Sequence, residues 1–253
     1  MKYKNLTIKG KTDGFGCQYN AVLSGMAFCD KHKGYRYIHT PFSSVSHGYT
    51  SKEKAQELNS FIGIPDNRHG KKIHLSYKYM NNVFKNPIPY YDDAFLEKIR
   101  NYYWLNKKPV ESDIVVHIRR GDMHDKYRYR GQTRYQSNQY YNSIIPKIVN
   151  QYSDSYTITI HSEGELKEFE DIVCGWHKSI TDRVVWKLGK SFDSNCRHNL
   201  ISAFHDMVCA KVLVQSKSGL SYTAGLLNNN VTHFTRGNMS MGQKIPLKNW
   251  RII

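Results

Sequence analysis

The chain has 253 residues, of which 40% are hydrophobic and 19 are tyrosine, and it carries a net charge of +16. This length and apolar content suit one large domain or two small ones with a real core, and exclude a disordered chain. The excess of cations asks for an anionic partner: nucleic acid, a membrane surface or a phosphorylated small molecule.

No apolar run is long enough to span a bilayer, and the opening "MKYKNLTIKGKTDG" lacks the apolar middle of a signal peptide. The five cysteines are odd in number and form no close CxxC pair. That pattern argues against a disulfide framework or a zinc site and predicts a cytoplasmic protein.

In chain order, "KNLTIKG" (4–10) reads as a strand. "CQYNAVLSGMAFCDKHK" (17–33) reads as a helix ending at Gly34, and "YRYIHT" (35–40) as the next strand. Further helices are predicted over 51–63, with Ser51 as N-cap, and over 92–105. "KKPVES" (107–112) is polar, contains a proline and marks the domain boundary. Beyond it, strands at 113–118, 156–162, 183–188, 211–216 and 231–235 alternate with helices at 137–152, 164–176, 195–210 and 219–229. Short apolar strands alternating with helices predict an α/β fold with mostly parallel sheets covered on both faces. Ligands then bind beyond the carboxyl ends of the strands.

Four segments stand at such ends. In "VVHIRRGD" (115–122), strand alternation puts His117 and Arg119 on one face and Arg120 on the other, and Gly121-Asp122 forms a turn. Arg119 is placed to offer its fork of donors to phosphate oxygens, and His117 to donate to a phosphate or a sugar hydroxyl. "TDGFGCQYN" (12–20) brings Gly14, Phe15 and Gly16 to a strand-to-helix turn, where free N–H groups suit a diphosphate. It lacks the third glycine of a dinucleotide fingerprint and the Lys-Ser/Thr of a P-loop. "VQSKSGLSYTAG" (214–225) clusters Ser216, Ser218 and Ser221 before a helix, and "IHSEGE" (160–165) offers Ser162 and Glu163 to ribose hydroxyls or a base edge. Each of these two also reads as an ordinary helix cap.

Taken together, these blocks resemble the α-1,2-, α-1,6- and protein O-fucosyltransferase superfamily. "HIRRGD" (117–122) resembles its His-x-Arg-Arg-Gly/Thr-Asp motif, "DGFGCQYNAVLSGMAFC" (13–29) its N-terminal glycine turn, "IHSEGELKEFE" (160–170) its Ser-Asp-Asp block, and "FHDMVCAKVLVQSKSGLSYTAGLLN" (204–228) its late serine block, nearest the α-1,2 type. The usual asparagine of the first block is Cys17 here, and the phenylalanine of the last is Leu220. The resemblance implies a GT-B fold of two Rossmann-like halves, 1–108 on the acceptor side and 109–253 binding the nucleotide sugar. It implies inverting, metal-independent transfer of fucose from GDP-fucose to a glycan hydroxyl. Arg119 would contact the β-phosphate and stabilise departing GDP. His117 would touch the nucleotide, Asp122 would shape the turn beside Arg120, and Ser218, Gly219, Leu220 and Ser221 would line the nucleotide pocket with Ser216. Ser162 and Glu163 would lie near ribose or guanine, and Gly14 and Gly16 would close over the sugar phosphate. Asp13, Asp122, His124 and Asp125 are the candidate bases, with Asp13 and Asp125 foremost.

Two other readings stand beside it. One is a transferase using another nucleotide-sugar donor. The other is nucleic-acid binding, suggested by the basic and aromatic "DKYRYRGQTRY" (125–135). No helix-turn-helix, zinc or RNA-binding motif accompanies that segment, so no sequence-specific nucleic-acid partner is expected.

Overall fold

A computed structural model describes residues 3–8, 13–46, 50–65, 73–75, 83, 86–121, 134–189, 199–235 and 247–253. The chain divides into two compact units, Met1–Lys108 with Ser240–Lys248, and Pro109–Met239 with Asn249–Ile253. No helix among the described residues is long and apolar enough to cross a membrane.

The first unit is built on β1 (Lys4–Ile8), which passes into α1 (Phe15–Lys31) and returns as β2 (Tyr35–Tyr37). α2 (Lys52–Ile62), β3 (Ile73–Leu75) and α3 (Asp93–Trp104) follow. The three strands are parallel in the order β2-β1-β3. α1 is buried along most of its length, from Phe15 to Cys29, so its weak amphipathicity is that of a central helix. α2 is amphipathic instead: it buries Ala55, Leu58 and Ile62 on one stripe. Its ends are set chemically, with the Ser51 hydroxyl accepting from the Lys54 N–H at 3.3 Å and Gly63 at φ +68° closing the last turn.

The second unit holds β4 (Ile114–Ile118), α4 (Asn138–Val149), β5 (Ile158–Glu163), a four-residue helix α5 (Lys178–Thr181), β6 (Val184–Gly189), α6 (Leu200–Cys209), β7 (Val212–Val214), α7 (Gly219–Leu227), β8 (Val231–Phe234) and β9 (Trp250–Ile252). All six strands are parallel, in the order β6-β5-β4-β7-β8-β9. Counting from β4 as the first strand, this is 3-2-1-4-5-6, the order of the dinucleotide-binding sheet. β4 lies at the centre with every residue buried. Ile114, Val116 and Ile118 pack under Tyr141, Ile145 and Ile148 of α4. The α/β class with mostly parallel sheets, read from the sequence, is the architecture observed.

Four elements depart from the sequence reading, among them the four-residue α5, which has no counterpart there. The helix expected over 164–176 is two 3-10 turns, Leu166–Glu168 and Glu170–Ile172. Within it, Asn142 Nδ2 donates to the carbonyls of Ile172 (2.7 Å) and Cys174 (2.8 Å), which ties the segment to α4. β3 and β9 have no counterpart in that reading, because three-residue strands leave no measurable alternation.

Candidate functional site

In a sheet of this order the crevice opens where the chain reverses direction, between β4 and β7 at their carboxyl ends. The arginine motif and the serine block both terminate there. His117 is the penultimate residue of β4, and Ser216 lies just past β7. Their side chains meet, with Ser216 Oγ at 2.8 Å from His117 Nδ1, although the two residues are 99 positions apart. Which of the two atoms donates in this pair is set by the tautomer of the imidazole.

Arg119 follows the end of β4 and is half-buried. Arg120 turns the other way. Its Nη1 donates to the Arg119 carbonyl at 2.9 Å, its Nη2 binds the Asn138 side-chain oxygen at the start of α4, and its guanidinium lies 4.7 Å from the Tyr135 ring and 5.8 Å from that of Phe169. Arg120, expected at the donor, therefore anchors the motif to α4 and the 3-10 segment. Gly121 adopts φ +76°, and a Cβ there would lie 1.9 Å from Glu163 Oε2. The carboxylate of Glu163, the last residue of β5, is thus folded against the motif's turn.

The serines divide. Ser218 is the N-cap of α7, its Oγ accepting from the Leu220 N–H at 3.2 Å. Ser221 is fully buried and donates to the Ser216 carbonyl at 3.2 Å. Gly219 is buried and Leu220 half-buried in the first turn of the same helix. Ser162, expected beside the ribose, is fully buried, and its hydroxyl donates to the Ile118 carbonyl at 2.9 Å, tying the end of β5 to that of β4. Phe15, expected with the donor, is a core residue: it is 3% exposed and packs on Tyr19, Phe42 and Phe61.

In the first unit, Gly14 is the N-cap of α1, and Gly16 is buried in its first turn. Gln18 holds the junction by donating to the carbonyls of Asp13 (2.7 Å) and Ser44 (2.9 Å). The Asp13 carboxylate accepts from the Gly14 N–H at 3.3 Å and is exposed. Asp122, His124 and Asp125 lie outside the described residues.

Two residues at the crevice were not singled out from sequence. Gln136 is 6% exposed and joins three elements. Its Oε1 accepts from the Lys217 N–H (3.1 Å) and from the Tyr141 hydroxyl (3.2 Å), and its Nε2 donates to Thr235 Oγ1 (2.9 Å) past the end of β8. Lys217 stands between Ser216 and Ser218, and its half-buried ammonium meets no acid among the described residues. Burial lowers its pKa. The signal for Lys217 was present in "SKS", a cation inside the serine block; nothing local marked Gln136.

Behind this edge, one buried network stands apart. His161, the register partner of His117, places Nε2 at 2.9 Å from Asp206 Oδ2 of α6, and Lys187 of β6 donates to the same oxygen at 2.5 Å. Burial lowers the His161 pKa, and both partners hold the Asp206 carboxyl below its ordinary range despite burial.

The two Rossmann-like halves with parallel sheets define the fold as that of the GT-B glycosyltransferases. Among solved structures, the chain is similar to the Escherichia coli heptosyltransferase WaaC with ADP, with a TM-score of 0.51 and 9% identity over 98% of this chain and 92% of that one. It is also similar to E. coli ADP-heptose LPS heptosyltransferase II, with a TM-score of 0.46 and 9% identity over 99% of this chain and 90% of the other. No protein-family model and no curated protein matches the sequence.

Proposed function

We propose that the chain is a glycosyltransferase whose second unit holds a nucleoside diphosphate sugar at the β4–β7 crevice. One observation carries the reading: the two most chemically loaded segments of the sequence, "HIRRGD" and "SKSGLS", meet at the topological switch point through the His117–Ser216 hydrogen bond. The ADP named with the similar heptosyltransferase is a ligand of the same class. Arg119, Lys217 and the N-terminus of α7 concentrate positive charge there, and a diphosphate leaving group needs that charge as its bond to the sugar breaks. The reading therefore assigns Arg119 to the β-phosphate and uses no metal. His117 supplies a hydrogen-bond donor to the nucleotide, and Gly219, Leu220 and Glu163 border it.

The donor read from the motif is GDP-fucose, and the acceptor is a glycan hydroxyl attacked with inversion. The acceptor proton goes to a carboxylate, for which Asp13 is exposed and Asp125 is the second candidate. The test is donor turnover with a panel of nucleotide sugars. GDP-fucose is expected to release GDP with an inverted product, and Arg119→Ala to lose at least about a hundredfold in rate. Turnover of an ADP- or UDP-sugar in its place would reject the fucose assignment and keep the transferase. No turnover or binding of any nucleotide sugar would reject both.

A further inference from the structure

Positive charge is unevenly shared between the units. The first contains 20 lysines and arginines against 8 aspartates and glutamates, a net +12, whereas the second contains 17 against 13, a net +4. The switch-point crevice lies in the less charged unit, so binding a nucleotide there does not account for most of the excess.

The first unit also contains a groove of about 740 Å³ along β2, which is an edge strand among the described residues. Tyr3, Tyr35, Tyr37 and Tyr102 line it together with Lys33 and Arg36. The one acid in the lining, Asp30, is already paired with Lys98 at 3.0 Å. Lys33 and Arg36 are exposed and meet no acid among the described residues. Tyr3 is 58% exposed, which leaves an aromatic face open at the groove. The Tyr37 hydroxyl is the converse: it is buried and has no hydrogen-bond partner among the described residues.

We propose that this groove binds an anionic sugar chain bearing carboxylate, sulfate or phosphate groups. The volume matches a small oligosaccharide. The tyrosines give amphipathic faces and hydroxyls for sugar rings, and the unpaired cations give the preference for charge. That this chain is the acceptor of transfer rests on the reading above; the binding does not.

The test uses full-length protein and a fluorescein-labelled dextran sulfate oligosaccharide, with neutral dextran of the same length, oligo-dT and anionic vesicles for comparison. Dextran sulfate is expected to bind at least about tenfold more tightly than neutral dextran. A Tyr3→Ala/Lys33→Ala/Arg36→Ala variant should lose about tenfold, while Lys52→Ala/Lys147→Ala, which removes the same charge from exposed sites outside the groove, should lose less than about twofold. Equal losses in the two variants would mean diffuse attraction and overturn the proposal, as would equally tight, groove-dependent binding of oligo-dT or of the vesicles. Intact groove binding in a protein that no nucleotide stabilises would sink the donor reading alone.

Discussion

At the scale of single residues, the arginine motif works through a division of labour that strand geometry imposes. Alternation along β4 was enough to separate Arg119 from Arg120 in the sequence. It could not show what Arg120 meets, because Asn138, Tyr135 and Phe169 come from other elements. Ser162 shows the same limit: at a strand end it reads as a helix cap or a ligand contact, and the bond its hydroxyl makes to the parallel neighbour's Ile118 carbonyl, 2.9 Å away, leaves no local trace in the sequence. Gly121 is the least replaceable position. Gly121→Ala forces a side chain into the left-handed region and onto the Glu163 carboxylate, and should cost about 1–3 kcal/mol, read as a lowered melting temperature. Lys217→Ala removes a half-buried cation that has no acid partner among the described residues, so thermal stability should hold or rise slightly while nucleoside diphosphate affinity falls about tenfold in a titration. His233 sets a pH dependence. Burial and the nearby Arg251 push its pKa down to about 4 in the folded chain, from 6.5. The unfolded chain takes up that proton first, so the folded state is progressively destabilised as pH falls from about 6.5 towards 4, with no further change above that window. His161 is shifted in the same direction. Melting temperatures between about pH 7.5 and about pH 5 should fall, and His233→Gln should flatten the slope.

At the scale of elements, the long periodic segments were legible and the short ones were not. α2, α3 and α4 begin at side chains that cap them, Ser51, Asp92 and Ser137, and each sits within a residue or two of its expected start. The failure at 164–176 is instructive because its sequence is helical in composition. A single side chain, Asn142, satisfies carbonyls at three positions there and holds the Trp176 region through its own carbonyl, which accepts from Trp176 Nε1 at 3.0 Å. Asn142→Ala leaves the part-buried Ile172 carbonyl without its donor and should cost about 1–2 kcal/mol in denaturant unfolding. An unchanged unfolding midpoint would mean that the 3-10 turns stand without it.

At the scale of the whole chain, strand alternation with helices implied a parallel α/β fold, but no local pattern gives strand order. The 3-2-1-4-5-6 order emerges only when β4 pairs with β5 on one side and β7 on the other, and that order turns two dispersed motifs into one crevice. Charge was visible as a total of +16 in the sequence; its concentration in the first unit needed the division into units. The account's central claim is that the β4–β7 crevice binds a nucleoside diphosphate through Arg119. Thermal unfolding of the full chain with GDP, ADP and UDP, for the wild type and Arg119→Ala, tests it most directly. At about a hundredfold excess over Kd, the cognate nucleotide should add about 2.7 kcal/mol, or roughly 5–10 °C, to the wild type and little to the variant. No shift with any of the three, or an equal shift in Arg119→Ala, would contradict it.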